Sequence, residues 1–403
     1  MPPLRILHVV PYYAEAWAYG GIPRVAAGLV SGLARRGHQM TVVTTDARDR
    51  GSRLSPGASE RSRGADFRPD GAGVDVRVFR NLSNHLAYGS QLFLPLGLRR
   101  FLAAQAGRFD VAHLHAYRNL PVAFAAESLA RAGVPFVLTP NGTVPRIEAR
   151  RIAKAIWDLV LGRAPLARAA RVLAVTEFER AQLVDAGCPR ESLDVVPNPI
   201  DLDEFAPPPV RGAFRARFGL GDERIVLYLG RISPRKRVDL LAQAFARLAD
   251  DDLRLVIAGS EMGAGDFARR AVRQAGVETR TLFTGLLEGR SRLEALADAD
   301  AVAYATEGEI FGLVPLEALL CGTPVVVADD SGCGELIAST GGGHVVTAGD
   351  AAALAAALSD LLGRRDDWCE EAGKAAERVR ARFGSDVVAA RLEEIYLRIL
   401  EER

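Results

Sequence analysis

The stretch Glu307-Gly-Glu-Ile-Phe-Gly-Leu-Val-Pro-Leu-Glu-Ala-Leu-Leu-Cys-Gly-Thr-Pro-Val-Val-Val (307–327) decides how the chain folds. A strand-like run at 301–304 leads into it, and it turns at Gly308 and Gly312. An apolar helical run then stops at Gly322, before a second strand-like run at 325–328. Strand, loop, helix and strand make one βαβ unit, and a parallel sheet follows. In such sheets ligands bind beyond the carboxyl ends of the strands, where this loop lies. Free N–H groups at Gly312 and Leu313 open the helix, and its dipole favours a phosphate there. Glu309, before the helix, and Glu317, on it, would repel that anion. They call for partners that donate hydrogen bonds, such as sugar and ribose hydroxyls. Taken singly, either glutamate reads as a solvated charge; the surrounding pattern reverses that reading.

Moving outward, Gly230-Arg-Ile-Ser-Pro-Arg-Lys-Arg-Val-Asp-Leu-Leu (230–241) leaves another predicted strand and enters a helix. Arg231 and Lys236 can converge at the strand's carboxyl end, which suits a diphosphate leaving group. Arginine brings a planar fork and lysine a point charge. A basic turn with solvated side chains explains this segment equally well when it is read alone.

The same alternation runs along the whole chain. Strands are predicted in the first half at 5–10, 41–44, 74–79, 111–115, 136–139, 172–175 and 194–196, and in the second at 225–229, 255–258, 281–284, 301–304, 325–328 and 344–346. Between the halves, Val195 to Phe205 and the prolines Pro207, Pro208 and Pro209 read as an interdomain linker, because consecutive prolines fit neither a helix nor a central strand. The reading is α/β, two doubly wound Rossmann-like domains. The first is 1–202 plus a C-terminal helix at 385–403, and the second is 203–384. Residues 48–73 show no periodicity and read as a surface loop.

Composition narrows the function. A chain of 403 residues with 49% apolar and 25% charged residues is globular, and its net charge of +1 gives no global field for nucleic acid. Four scattered cysteines form no Cys-x-x-Cys pair and, with no histidine cluster of zinc spacing, imply reduced thiols. The N-terminus enters a strand without a signal-peptide pattern, so a cytoplasmic protein is expected. No Gly-x-Gly-x-x-Gly follows Val10, which disfavours a dinucleotide oxidoreductase.

The Glu309–Glu317 segment and the Arg231–Lys236 segment together resemble the retaining glycosyltransferases of family four, which have the GT-B fold. The family pattern is E-G-F-G-L-x-x-L-E-A-x-A-C-G-x-P-V-V, matched here with Ile310 and Leu320 as departures. Its G-R-x-x-x-x-K-G is matched at Gly230, Arg231 and Lys236, with Arg237 in place of the usual glycine. Gly20-Gly21, Arg-Arg-Gly-His (35–38), Asp110-Val-Ala-His-Leu-His (110–115) and Val196-Pro-Asn-Pro-Ile-Asp (196–201) extend the resemblance along nearly the whole chain.

The resemblance implies an active site in the cleft between the domains and a nucleoside-diphosphate sugar as donor. Arg231 and Lys236, with the Gly312 and Leu313 amides, would hold the diphosphate, and Glu317 the ribose. Glu309 would bind hydroxyls of the transferred sugar, flanked by Ile310 and Phe311. Gly285 and Leu286 would lie near the base, Gly21 would let backbone approach the phosphates, and His115 would act on the sugar. Read alone, His115 is more simply a core or capping residue. No Asp-x-Asp follows a strand in the donor half, so no cofactor and no essential metal are expected. The product would be a polysaccharide or glycoconjugate, on a sugar or lipid-linked acceptor. A sugar-nucleotide 2-epimerase of the same fold, or a non-catalytic binding protein, would carry much of the same pattern. Residues 146–171 are basic and amphipathic. They suit either peripheral contact with an anionic membrane or a packed helix with a solvated face.

Overall fold

A computed structural model describes residues 2–54, 74–144, 155, 157, 158, 161, 163–261 and 264–403. The chain divides into two compact units, Met1–Pro199 with Ser385–Arg403, and Ile200–Gly384. Most of the unperiodic 48–73 stretch, from 55 onward, lies outside the described residues.

The first unit holds seven strands: β1 Arg5–Val9, β2 Gln39–Thr45, β3 Val74–Phe79, β4 Val111–His115, β5 Phe136–Thr139, β6 Arg171–Ala174 and β7 Leu193–Val195. They pair in parallel in the order β3-β2-β1-β4-β5-β6-β7. Every residue of β4 and β5 is buried, as expected of strands covered by helices on both faces.

Helix Ile22–Arg35 packs on the C-terminal helix Ser385–Glu401. The approach is close: a Cβ at Gly32 would lie 2.7 Å from the Ser385 carbonyl oxygen and 2.8 Å from Ala389 Cβ. The last helix buries Val388, Leu392, Ile395, Tyr396 and Ile399. Val387, which its spacing would place on the same face, points outward. Arg35 reaches Asp386 at 2.8 Å, while Arg36 and His38 both bind Glu393, the latter at 3.1 Å. The Arg-Arg-Gly-His segment is therefore the clasp for the last helix.

The second unit holds β8 Arg224–Leu229, β9 Leu253–Ala258, β10 Thr281–Gly285, β11 Ala301–Tyr304, β12 Val325–Ala328 and β13 Gly343–Val346, in the order β10-β9-β8-β11-β12-β13. All pairs are parallel. The proline run expected to link the domains belongs to this unit. Arg290 Nη1 donates to the Pro207 carbonyl at 2.5 Å, and Nη2 to that of Pro208. The first passage between units falls earlier, at Pro199–Ile200. In each sheet the strand order reverses once, between β1 and β4 and between β8 and β11. Those reversals are where an open α/β sheet leaves a crevice for a ligand.

Candidate functional site

Because β8 and β11 are neighbours, the loops that follow them meet at the second unit's reversal point. Gly230 leaves β8 with φ +152°, and its carbonyl oxygen would be 1.7 Å from a Cβ at Gly259. Only glycine fits at 259. Arg235 fastens the two loops together: its Nε donates to the Glu307 carbonyl at 3.0 Å and its Nη2 to that of Gly308. The Glu307 N–H donates back to the Arg235 carbonyl at 3.1 Å. Arg237 adds ion pairs to Glu307 and, at 3.2 Å, to Asp239.

Between the fastened loops, Lys236 Nζ donates to Tyr304 Oη at 2.9 Å and to Glu309 Oε2. Tyr304 Oη also donates to Glu309 Oε2, at 3.3 Å. Burial pushes the Glu309 carboxyl upward, but the Lys236 ammonium outweighs it and holds the group below its ordinary value. Glu309 is thus ionised and Lys236 neutralised. Arg231 is half-buried and has no carboxylate partner among the described residues. A guanidinium partly removed from water without a counter-charge can receive an anion.

The helix Leu313–Leu320 opens beside them at Gly312, with no side chain capping it. Its first N–H groups have no intrahelical acceptor. Gly312 has φ +76°, and a Cβ there would sit 2.4 Å from Cys333 Sγ, so conformation and space both demand glycine. Ile310 and Phe311 are buried, and Phe311 packs edge-on against Phe383 at 5.8 Å. Their side chains belong to the core. Gly285 ends the edge strand β10 with φ +74°, and Leu286 beside it is exposed.

Glu317 differs from the surface helical charge that its position suggests. It has no exposed area and pairs with Arg292 Nη1 at 3.4 Å. Arg292, itself buried, also pairs with Glu204. The two glutamates therefore have separate partners: Lys236 and Tyr304 hold Glu309, whereas Arg292 holds Glu317.

The first unit's reversal point carries His8 on β1 and His113 and His115 on β4. His8 stands opposite His113 in the strand register, and all three side chains are buried. His8 Nδ1 lies 3.0 Å from His115 Nε2. His113 pairs through Nδ1 with the Tyr396 hydroxyl at 2.8 Å and through Nε2 with the Thr139 hydroxyl at 2.7 Å. Desolvation lowers all three imidazoles, that of His115 to about 3, so each is neutral. One nitrogen from each ring lies within 4.8 Å of the others. However, the His113 and His115 rings stack at 4.3 Å and 10°, so their in-plane lone pairs run side by side rather than toward one ion. Ala116, next to His115, is held at φ +63°, a strained conformation of the kind that gathers at functional sites. Gly21 has an ordinary helical φ of −80° and caps Ile22–Arg35, while the left-handed residue is Gly20 at +100°. A cavity of about 950 Å³ begins two residues beyond His115, among Tyr117, Arg118, Val144, Leu166, Gln182 and Cys188.

Residues 210–379 match the family model described as glycosyl transferases group 1, and residues 19–204 match glycosyltransferase family 4. The chain belongs to the family 4 glycosyltransferases. The D-inositol 3-phosphate glycosyltransferase of Kineococcus radiotolerans is 30% identical over 95% of this chain and 92% of its own length. That of Xylanimonas cellulosilytica is 32% identical over 82% of each chain. Among solved structures, Anabaena HepE in complex with UDP and glucose aligns over 97% of this chain and 99% of its own, with TM-score 0.75 and 20% identity. Sucrose-phosphate synthase from Thermosynechococcus elongatus aligns over 99% and 100%, with TM-score 0.74 and 22% identity. The fold is GT-B, and the protein is a transferase enzyme.

In this glycosyltransferase, Arg237 holds a left-handed conformation, φ +52°, which explains why the family pattern has glycine there. Sequence reasoning passed over Tyr304, Arg235, Arg292 and His8. Tyr304 was within reach as the last residue of a strand, and His8 as the neighbour of β4 across a reversal. Arg292 carries no local signal. Within the basic 146–171 stretch, 146–154 lie outside the described residues. Asp158 binds Arg118 through two 2.8 Å contacts, and Arg171 pairs with Glu402 at 2.9 Å. Among the described residues no helix is long and apolar enough to cross a membrane.

Proposed function

We propose that this glycosyltransferase moves a hexose-type sugar, with retention and without an essential metal, from a nucleoside-diphosphate sugar to a hydroxyl acceptor. The observation that carries this reading is the half-buried Arg231, without a carboxylate partner, near the Lys236–Glu309 pair and the glycine-opened helix end. Arg231 and the Gly312 and Leu313 amides bind the diphosphate. Lys236 turns from Glu309 toward the incoming anion, and Glu309 takes sugar hydroxyls in its place. Such fixed positive groups can stabilise a departing diphosphate without Mg²⁺. Leu286 offers an apolar surface to the base, and Glu317, paired with Arg292, is assigned to the ribose. His115 acts directly in turnover. The cavity beside Tyr117 has the size of a small-molecule site and supports an acceptor on the first unit. The relatives make inositol 3-phosphate the first acceptor to try.

Calorimetric titration with UDP, GDP, ADP and dTDP in EDTA tests the donor half. One nucleotide should bind. Lys236→Ala should weaken it on the order of tenfold to a hundredfold, the loss of one charged hydrogen bond of roughly 1.5–3 kcal/mol, and should also lower the melting temperature of the free protein, because Glu309 loses its counter-charge. Binding that requires a divalent metal, or that ignores Lys236→Ala, overturns the assignment. The anomeric configuration of the product, read by NMR, decides retention.

A further inference from the structure

Two buried ring nitrogens of the first unit bond to no described group, His8 Nε2 and His115 Nδ1. They are the two ends of one pair, because His8 Nδ1 and His115 Nε2 already share a contact of 3.0 Å. His113 is excluded from this exchange, since Tyr396 and Thr139 occupy both its nitrogens. Its ring, stacked on that of His115, fixes the plane in which His115 lies.

A neutral imidazole has one N–H and one bare nitrogen, so the shared contact locks the two tautomers together. If His115 Nε2–H donates to His8 Nδ1, the His8 proton sits on Nε2 and His115 Nδ1 is a bare acceptor. If His8 Nδ1–H donates instead, His115 must carry its proton on Nδ1. The first arrangement puts both rings in the Nε2–H form that neutral histidine prefers in water. The second puts both in the less favoured form.

We propose that His8 is a positioning residue that holds His115 in the Nε2–H tautomer, so that His115 Nδ1 accepts a hydrogen bond from a substrate hydroxyl. This rests on the reading of His115 as a group that acts in turnover. A buried acceptor with no protein partner is unfavourable until a donor meets it, and a sugar hydroxyl is such a donor. The same pairing explains why a histidine stands on β1, where an aliphatic residue would pack as well.

The tautomer is read directly from long-range ¹H–¹⁵N correlation spectra of the ¹⁵N-histidine-labelled full chain, which has 6 histidines. His115 should show a protonated Nε2 and a bare Nδ1; a protonated Nδ1 overturns the proposal. A second arm measures turnover of UDP-glucose with inositol 3-phosphate in His8→Leu, which keeps bulk but no acceptor, and His8→Gln, which restores a carbonyl oxygen. His8→Leu should lower kcat about tenfold with KM changed less than twofold, and His8→Gln should recover most of the loss. Equal loss in both variants, or none in His8→Leu, also overturns it. The control is His115→Ala. If that variant turns over normally, the catalytic reading of His115 fails. If it is slow while His8→Leu is not, only the present inference fails. The spectrum of the unmodified protein decides the matter even if a His8 variant does not fold.

Discussion

Strand β1 meets β4 in the first sheet as β8 meets β11 in the second, and each meeting places side chains at a carboxyl edge. The materials differ. The first edge holds three neutral, enclosed imidazoles. The second holds Arg231, Arg235, Lys236, Arg237, Glu307 and Glu309, most of them half-buried and several paired. An anion at such an edge would have to be met by charge, and charge can leave water only when it is paired. A group that only accepts or gives a hydrogen bond can be sealed away, provided that it stays neutral. The same strand order thus carries two kinds of side-chain environment, and burial tells them apart.

The sharpest way to break this contrast is within the charged unit, where Glu317 is as enclosed as any histidine. Glu317→Ala takes one carboxylate partner from the buried Arg292, whose ion pair to Glu204 remains. Stability should fall by roughly 3 kcal/mol or more, read as a drop in the urea midpoint at constant m. A loss below about 1 kcal/mol would show that the pair is not sealed.

Acid probes the neutral unit. A histidine with a lowered folded pKa contributes stability above its unfolded value of about 6.5 that is lost as pH falls toward the folded value, here about 3 for His115. Three such groups give about 4 kcal/mol per pH unit. Glu179 opposes them. Burial raises its carboxyl to about 7, so it takes up a proton on folding and gains stability as pH falls from about 7 toward 4.5. The net loss should be roughly 2–3 kcal/mol per unit between about pH 6 and 5. Urea titrations at pH 7 and 5.5 measure it, and a flat response would mean that the imidazoles are hydrated or already charged.

The smallest effect is expected at Arg237. Arg237→Gly removes a left-handed arginine but also the contacts to Glu307 and Asp239. Relief of the backbone and loss of partly exposed ion pairs oppose each other, each near 1 kcal/mol or less. The melting temperature should barely move. A fall of more than about 2 kcal/mol in stability would make the Arg237–Glu307 tie a structural element of this loop.

Periodicity located the thirteen strands of the described residues because a parallel sheet buried on both faces needs unbroken apolar runs, such as Val325–Ala328. The loops after β8 and β11 were legible for a different reason: glycines at 230 and 312 mark backbone that residues with side chains rarely adopt. What escaped was the pairing of distant charges and rings. Nothing near Glu317 in the sequence announces Arg292, 25 positions away. Nothing near His113 announces Tyr396, 283 positions away. Arg-Arg-Gly-His is legible as a motif, but its partner Glu393 on the last helix is not, because a long-range side-chain pair leaves no periodic trace.

That last helix sets the order in which the protein can be finished. Ile200–Gly384 is one continuous segment, so the second unit has all its parts as soon as Gly384 leaves the ribosome. The first unit begins earlier yet lacks Ser385–Glu401 until the end. Its helix Ile22–Arg35 meanwhile presents Gly28 and Gly32 to solvent where Ser385 and Ala389 will sit, and His113 lacks Tyr396. At about 5–20 residues per second the delay is on the order of 10–40 s. The half that is translated first is thus completed last, and a chain truncated after Gly384 would hold every segment of the second unit while His113 lacked Tyr396.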